Sequence, residues 1–354
     1  MDILTNLYPQ SFHVNNMKIN RFFYILVLLL FISCHSRENK EVPECSLQHE
    51  VFEEESLTLG NIRTMALVSD SMLVFVNKQS DILFQVVDLK NKNLMDFGNR
   101  GQGPDDFLLP TSLKGYSDNH FSLWDINRKR YSSVVFSLET SSVSFDHHFT
   151  SDDSFLHYEI LPITGDHFVS SGIYENYRLL VLDEMGCIMK GVGNIPARDV
   201  REENISGNIR SEVYQGKMAV SPSGKKVVQA LLRSDIISFY KVTPDGELQL
   251  ASENIGSYPE YSYETGAMEL TAPIHHIDVS ATEKYVYVLY SGRNYKKFKD
   301  KAFLSNRIDV YDWNGRLIKR LNLDVDIKLM CVSEDDKTIY AIAYLPDPVL
   351  VLFE

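Results

Sequence analysis

The fold is decided by the stretch Lys241-Val242-Thr243-Pro244-Asp245-Gly246, in which an apolar strand end meets a four-residue turn. The same pattern returns near residues 89, 138, 182, 311 and 352, and the last copy meets the chain end before its turn. Spacings of roughly 40 to 70 residues are typical of the four-stranded blades of a β-propeller. The sequence therefore predicts an all-β fold, a six-bladed β-propeller.

The two ends of the chain are predicted to close this ring together. The last blade has predicted strands near 327–332, 338–344 and 349–353, after which no residues remain for a fourth strand. The segment 48–59 precedes the first blade and has strand-like character. Pairing it as the missing outer strand satisfies two open sheet edges at once. We therefore predict a propeller domain over residues 47–354 whose last blade is closed by an N-terminal strand.

The N-terminus has the composition of a secretory signal. Residues 22–32 form an apolar run, Lys18 and Arg21 precede it, and Ser33 follows it. A run of eleven is too short to span a bilayer as a helix, which needs about 20 residues, and the basic start and small residue at the end are typical of a signal peptide. The predicted signal covers residues 1–33. Met17 is an alternative start, which would make 1–16 an extension that is not translated.

The end of this segment, Phe31-Ile32-Ser33-Cys34, resembles the lipobox of bacterial lipoproteins, although Phe31 stands where that pattern usually has Leu. The resemblance implies that Cys34 receives lipid, that residues 34–46 form a tether, and that the protein is anchored to the outer membrane at the cell envelope. Several acyl chains anchor a protein stably where one does not. The alternative is an ordinary cleaved signal with a chance cysteine.

Charge and cysteine content exclude several classes of function. The formal net charge of -13 argues against a nucleic-acid binder, which needs a basic surface. The cysteines form no Cys-x-x-Cys pair, so a zinc ribbon has no support. Cys187 and Cys331 stand in apolar runs and are predicted to be small buried residues. The sequence predicts no metal and no cofactor, and a monomer.

Two motifs carry a resemblance to a known family. They are Gly101-Gln102-Gly103-Pro104-Asp105-Asp106-Phe107 and Tyr290-Ser291-Gly292-Arg293. The chain resembles the TolB-like six-bladed propeller lipoproteins of Bacteroidetes, which share a coarse pattern with NHL-repeat propellers. The resemblance implies a fold and an envelope location, and it implies no settled activity. The first motif lacks the Gly-Lys-Ser/Thr of a phosphate-binding loop, so we interpret it as a crossover between blades.

Candidate ligand-binding residues cluster first around Arg293. Tyr290 and Arg293 end a strand, and Tyr295 opens an insertion that contains four lysines within the longest blade. Extra length maps to loops, and loops carry function. Arg293 could grip a carboxylate or phosphate with two hydrogen bonds. The alternative is a solvated loop in which Arg293 makes a structural ion pair.

A second group of candidates lies just before the fifth blade. Tyr258 and Tyr261 stand among acidic residues, a combination that suits contact with a sugar or a peptide, while simple packing is the alternative. His275 is a further ligand-binding candidate. His275 and His276 are adjacent on a strand, so they are expected to point to opposite faces and not to share a metal ion.

The sequence favours a non-catalytic binding or scaffold module at the cell envelope, with a glycan, a peptide or an envelope protein as ligand. Gly-x-Ser-x-Gly, HExxH and EF-hand motifs are all missing. The alternative is a propeller hydrolase or lyase acting on glycans or peptides. That alternative requires carboxylates, histidines or arginines that converge on one face of the central funnel.

Overall fold

The computed structural model describes residues 42–354 of the chain, with seven exceptions: Glu55, Ser56, Thr58, Asp70, Gln79, Asp152 and Asp153. The predicted signal peptide and Cys34 lie outside the described residues. Residues Val42–Glu354 form one compact unit. Two short strands come first, β1 (Glu44–Leu47) and β2 (Glu50–Val51).

Four antiparallel sheets of four strands each follow along the chain. The first contains β3 (Ile62–Val68), β4 (Met72–Asn77), β5 (Ile82–Asp88) and β6 (Leu94–Asn99). The second contains β7 (Pro110–Gly115), β8 (His120–Asp125), β9 (Arg130–Ser137) and β10 (Ser142–Thr150). In both, consecutive strands are hydrogen-bonded neighbours.

The third and fourth sheets repeat this order and enclose the helical insertion. The third contains β11 (Leu156–Ile163), β12 (His167–Ile173), β13 (Leu179–Leu182) and β14 (Ile188–Val192). Two helices follow it, α1 (Val200–Glu203) and α2 (Gly207–Val213). The fourth contains β15 (Gly216–Val220), β16 (Lys226–Leu231), β17 (Asp235–Val242) and β18 (Leu248–Ser257).

The remaining strands form one eight-stranded sheet. Its later members are β19 (Pro273–Ala281), β20 (Tyr285–Asn294), β21 (Ser305–Asp312), β22 (Leu317–Val332), β23 (Ile339–Tyr344) and β24 (Pro348–Phe353). Helix α3 (Tyr295–Phe298) and a 3₁₀ turn (Lys299–Phe303) lie between β20 and β21. The long β22 pairs with β21 through its first part and with β23 from Ile327 onward. The early strand β2 pairs with β24, and β1 pairs in parallel with β22.

The first strands of the sheets surround a common axis. Strand β3 contacts β7, β7 contacts β11, β11 contacts β15, and β15 contacts β19. Strand β19 contacts β22, and β22 contacts β3, so the series returns to its start. Neighbouring sheets are therefore arranged around a ring, which is the arrangement of a β-propeller. This confirms the predicted all-β propeller fold.

The recurring pattern of the sequence falls on the third strand of each four-stranded sheet, and on β21 and β24 of the eight-stranded sheet. Strands β5, β9, β13, β17 and β21 end where the pattern places its apolar residues, and β24 holds the last copy. The turns that follow are built on side-chain to backbone bonds. The Oδ1 atom of Asp183, for example, accepts hydrogen bonds from the N–H groups of Met185 and Cys187, which is how Asp stabilises a tight turn.

The core lies between neighbouring sheets. Val74, Val86 and Phe84 of the first sheet pack with Phe121 and Val134 of the second, all fully buried. Burial of each such side chain contributes about 1.5–3 kcal/mol to the free energy of unfolding. Each sheet thus needs the next one to cover its apolar face.

The structure corrects one prediction about the cysteines. Cys331 is buried as predicted, but Cys187 is exposed. The run around Cys187 is not a buried strand, because its N–H closes the turn after β13. The predicted boundary between tether and propeller, at residues 46 and 47, falls inside β1. Within the described part of the chain, no helix has the length and apolar character needed to cross a membrane.

Candidate functional site

The two faces of the propeller differ in the length of their connections. Where the first strands begin, long segments join the strands, among them 100–109, 193–215, 258–272 and 295–304. We call this side the loop face. On the other side, the turn face, the connections between strands are only three to six residues long. Binding residues occur disproportionately on loops held by a rigid scaffold, so the loop face is the candidate site.

A central channel opens between the first strands. It contains a cavity of about 200 Å³ lined by residues of β3, β7, β11, β15, β19 and β22. Several polar side chains in it bond the backbone of the next strand around the channel. Ser112 Oγ accepts a hydrogen bond from the N–H of Ile160, and Ser280 Oγ accepts one from Val332. Hydrogen bonds therefore join neighbouring strands along the channel wall.

Two carboxylates of the channel make the same kind of bond. Glu159 Oε2 accepts the N–H of Met218 while its Oε1 lies 2.9 Å from Lys217 Nζ. Asp278 Oδ2 accepts the N–H of Met330 at 2.9 Å. Burial is the largest cause that raises the pKa of Asp278, to about 6. Both carboxylates thus already serve as acceptors for backbone donors.

The structure places Arg293 at the end of β20 and gives it a partner. Its guanidinium donates to both carboxylate oxygens of Asp326, at 2.8 and 2.7 Å. Tyr295 begins α3 and is exposed, with the ammonium group of Lys299 5.7 Å from its ring centroid. The guanidinium of Arg293 is therefore already bound to Asp326, whereas the ring of Tyr295 is exposed to solvent on the loop face.

Tyr290 and His275 are brought together. Their ring centroids are 5.8 Å apart, and the Tyr290 ring also lies 5.8 Å from His276. The pairing of β19 with β20 shifts register on both sides of His276, so both histidines are buried on the same tyrosine. The alternation of faces that holds for adjacent residues of a strand without a bulge is broken here, because the register shifts at His276.

These histidines have different surroundings. His276 Nδ1 lies 2.9 Å from the carbonyl oxygen of Leu231 and its Nε2 lies 3.3 Å from Asp235 Oδ1. Among the described residues, the imidazole of His275 has a single long hydrogen-bond contact, 3.4 Å from Nε2 to Ser257 Oγ. Burial lowers the pKa of His275 to about 4, so its ring is neutral at physiological pH. Among the described residues, no group of three or more His, Cys, Asp or Glu side chains could hold a metal ion.

Tyr261 packs inside the loop face and holds a buried carboxylate. Its hydroxyl donates to Glu202 Oε1 at 2.6 Å, and the hydroxyl of Tyr214 donates to both oxygens of Glu202 at 3.0 Å. Burial and the neighbouring charge of Glu202 raise the pKa of both tyrosines. This cluster joins the segments 193–215 and 258–272.

Tyr258 lies at the edge of a wide cleft of about 930 Å³. Arg178 also lines this cleft and pairs with Glu253 at 2.6 Å. The six non-lipid candidates therefore occupy one face, where the structure separates them into three groups. Tyr290 lies with His275, Tyr258 packs against the apolar cluster that contains Tyr261, and Arg293 and Tyr295 are more peripheral.

The sequence reasoning missed Glu202, for which a signal exists. Asp199 and Glu202 have the spacing of a capping box. Asp199 Oδ1 accepts from the N–H groups of Arg201 and Glu202, and Glu202 accepts the N–H of Arg198. No local signal marks Glu159 or Asp278, because their backbone partners, Met218 and Met330, lie on strands that are distant in sequence.

Comparison with known protein families shows which family the chain belongs to. The model of the TolB-like 6-blade propeller-like family matches residues 63–335. The chain belongs to this family. The resemblance expected from the two sequence motifs is thereby confirmed.

A solved structure of low sequence identity shares the fold. A Bacteroides fragilis protein described as exported is 13% identical, with a TM-score of 0.52, over 88% of this chain and 98% of that one. The comparison also returns the β-propeller domain of Cps50 (Swd1) from Myceliophteria thermophila, which is 10% identical, with a TM-score of 0.48, over 86% of this chain and 99% of that one. No curated protein matches the chain.

Proposed function

We propose that this chain is a lipid-anchored protein of the cell envelope whose six-bladed propeller is a monomeric, non-catalytic binding or scaffold module. Its ligand, a glycan, a peptide or an envelope protein, docks on the loop face. Residues Tyr290, Arg293, Tyr295, Tyr258, Tyr261 and His275 stay candidates for that contact. The lipid on Cys34 attaches the module to the outer membrane.

The count of six blades rests on the division of β22. The part before Asp326 serves as the outer strand of a fifth blade, and the part from Ile327 serves as the inner strand of a sixth. Pairing of Glu50 with Leu352 and of Val51 with Val351 supports closure of that sixth blade by the N-terminal strand β2. The return of the first-strand contacts from β22 to β3 supports the same ring.

The observation that carries the binding proposal is the distribution of exposed apolar side chains. Among the described loops and turns, those of the loop face carry seven large exposed hydrophobic residues, and those of the turn face carry one, Met185. The seven are Phe155, Tyr177, Val200, Leu270, Tyr295, Phe303 and Leu345. Exposed apolar surface rimmed by polar groups is typical of a surface that binds a partner.

The state of the channel carboxylates favours binding over the hydrolase or lyase alternative. General acid–base chemistry needs groups that are free to exchange protons with a substrate. Glu159 and Asp278 each accept a backbone N–H of the next strand around the channel, and Glu159 also pairs with Lys217. Moving either one toward a substrate would break a bond between blades.

The envelope location rests on the N-terminal sequence. The lipobox-like Phe31-Ile32-Ser33-Cys34 follows a basic and then an apolar segment. The Bacteroides fragilis neighbour that shares the fold is described as exported. Replacement Cys34→Ala tests the anchor: we expect release of the protein from the membrane fraction, and unchanged retention would contradict it.

Binding at the loop face is tested with a soluble form that begins at Val42, the start of the compact unit. The form is applied to glycan and peptide arrays, and Leu270→Glu is compared with Met185→Glu. The two side chains are 61% and 62% exposed, and they lie on opposite faces. We expect Leu270→Glu to abolish array binding and Met185→Glu to preserve it. Equal loss in both variants, or no array binding by the unmodified form, would contradict the proposal.

A further inference from the structure

The loop-face end of the central channel collects basic residues. Lys217 lines the cavity, and Arg63 and Lys328 directly precede the cavity-lining Thr64 and Leu329 on their strands. These strands are β3, β15 and β22, which all contribute to the channel wall. Lys78 follows β4 beside them, where its N–H bonds the carbonyl oxygen of Asn61. Three different strands thus bring cations to one opening.

Most of these cations have no carboxylate partner. Lys217 pairs with Glu159. Within the described residues, no carboxylate lies within ion-pair distance of Arg63, Lys78 or Lys328. A nearby fifth cation, Arg100, donates its guanidinium N–H groups to three backbone carbonyl oxygens. The group is therefore positively charged on a chain whose net charge is -13.

The cations act on one another. Burial lowers the pKa of Lys78, and the charges of Arg63, Lys328 and Lys217 lower it further. The pKa of Arg63 is lowered by burial and by the charge of Arg100. Like charges held together and partly removed from water destabilise the protein unless an anion lies among them.

We infer that Arg63, Lys78 and Lys328 form a binding site for a phosphoryl group at the loop-face opening of the channel. This inference rests on the proposed function and names the chemistry of its ligand. A phosphate monoester carries a charge of about -1.5 to -2 at pH 7 and three acceptor oxygens. That charge matches three unpaired cations better than a single carboxylate does. The cavity of about 200 Å³ begins beside these residues, at Thr64, Lys217 and Leu329, and extends along the channel to turn-face residues such as Pro222.

The test is isothermal titration of the form beginning at Val42 with inorganic phosphate, glucose 6-phosphate and acetate at low ionic strength. We expect saturable binding of both phosphates, weaker binding of acetate, and a steep loss of affinity with added salt. Tighter binding of glucose 6-phosphate indicates a phosphorylated ligand, and equal binding indicates free phosphate. Absence of saturable phosphate binding, or acetate binding of equal strength, overturns the inference.

Variants locate the site. We expect Arg63→Gln with Lys328→Gln to raise the phosphate Kd about tenfold or more, because charge-assisted hydrogen bonds are lost. Lys78→Gln, at an exposed position, gives a second measurement that does not perturb the core. Lys225→Gln removes an exposed lysine from the turn face and should leave the Kd unchanged. An equal effect of Lys225→Gln overturns the inference.

The two proposals fail separately. Loss of array binding in Leu270→Glu without any phosphate binding overturns only the phosphoryl site. The opposite outcome is that phosphate binding depends on Arg63 and Lys328 while Leu270→Glu leaves array binding unchanged. That outcome supports the phosphoryl site and contradicts docking on the wider loop face.

Discussion

Arg293 and Asp326 form a two-bonded ion pair that connects β20 to the middle of β22. The guanidinium reaches both carboxylate oxygens, at 2.8 and 2.7 Å, and this bonding raises the pKa of Arg293. Asp326 lies just before Ile327, where β22 begins to pair with β23. The pair therefore holds the hairpin of β20 and β21, which carries the loop 295–304, against β22. Strand β22 pairs with β21 on one side and with β23 on the other.

A structural role for this pair predicts a loss of stability. We expect Arg293→Ala to lower the free energy of unfolding by about 1 kcal/mol, since the pair is partly exposed but bidentate. Arg293→Lys should retain only part of this stability, because an ammonium group cannot donate two parallel hydrogen bonds to a carboxylate as the planar guanidinium does. Urea unfolding of both, with Asp326→Ala and the double variant, measures the coupling. Additive losses from the two single changes would contradict the interpretation.

The buried carboxylate of Glu202 predicts a larger effect. It is 1% exposed and accepts bonds from two tyrosine hydroxyls. We expect Glu202→Gln to lower the free energy of unfolding by about 1–3 kcal/mol, because the amide NH₂ cannot replace a carboxylate oxygen as acceptor. Hydrogen exchange should become faster in 193–215 and 258–272. The exposed neighbour Glu203→Gln is the control, and equal effects of both changes would argue against the cluster.

His275 predicts a dependence of stability on pH. Burial lowers its pKa from 6.5 to about 4, so between these values the unfolded chain binds more protons at this residue. Acidification through this window therefore favours unfolding. We expect His275→Gln to lose less stability than the unmodified protein between pH 7 and pH 4.5, as measured by urea midpoints. His148→Gln, at an exposed position, should keep the original slope. Parallel curves for all three proteins would contradict this assignment.

The proposed closure by the N-terminal strand predicts that stability is sensitive to the loss of a backbone donor. The N–H of Phe52 donates to the carbonyl oxygen of Leu350 at 2.9 Å. Phe52→Pro removes that donor, and we expect it to cost about 1–3 kcal/mol of the free energy of unfolding. Phe52→Leu keeps the N–H and controls for lost packing, since Phe52 contacts the core. If the proline variant is no less stable than the leucine variant, β2 does not contribute to the closure.

Local sequence was sufficient to locate the sheets. The turn after each third strand is made within a few residues, as in the bonds of Asp183 or Asp312 to the N–H groups that follow them. Such turns place turn-forming residue types, such as Asn, Ser, Asp or Gly, after the apolar strand end in the first five copies, and this recurrence reveals the repeat. Cys187 shows the limit of this reasoning, because an apolar neighbourhood did not reveal that the residue closes an exposed turn.

The candidate site could be predicted only in part. The sequence selected the loops that lengthen one face, including Tyr295 and the tyrosines at 258 and 261. It did not reveal that Arg293 is paired with Asp326, 33 residues away, or that a bulge turns both histidines onto Tyr290. Glu159 and Asp278 bond residues 59 and 52 positions away. Neither spacing nor composition reports contacts of that range.

By itself, therefore, the sequence determined the recurring strand and turn pattern of the propeller, because apolar alternation and turn residues act over a few positions. The tertiary structure alone decided which polar groups face each other across the sheets. The ring brings the first strands of separate sheets to one axis, and only there do Arg63, Lys217 and Lys328 meet at one opening. These residues are spread over more than 260 positions of the chain, so no local sequence pattern predicts that they lie near one another.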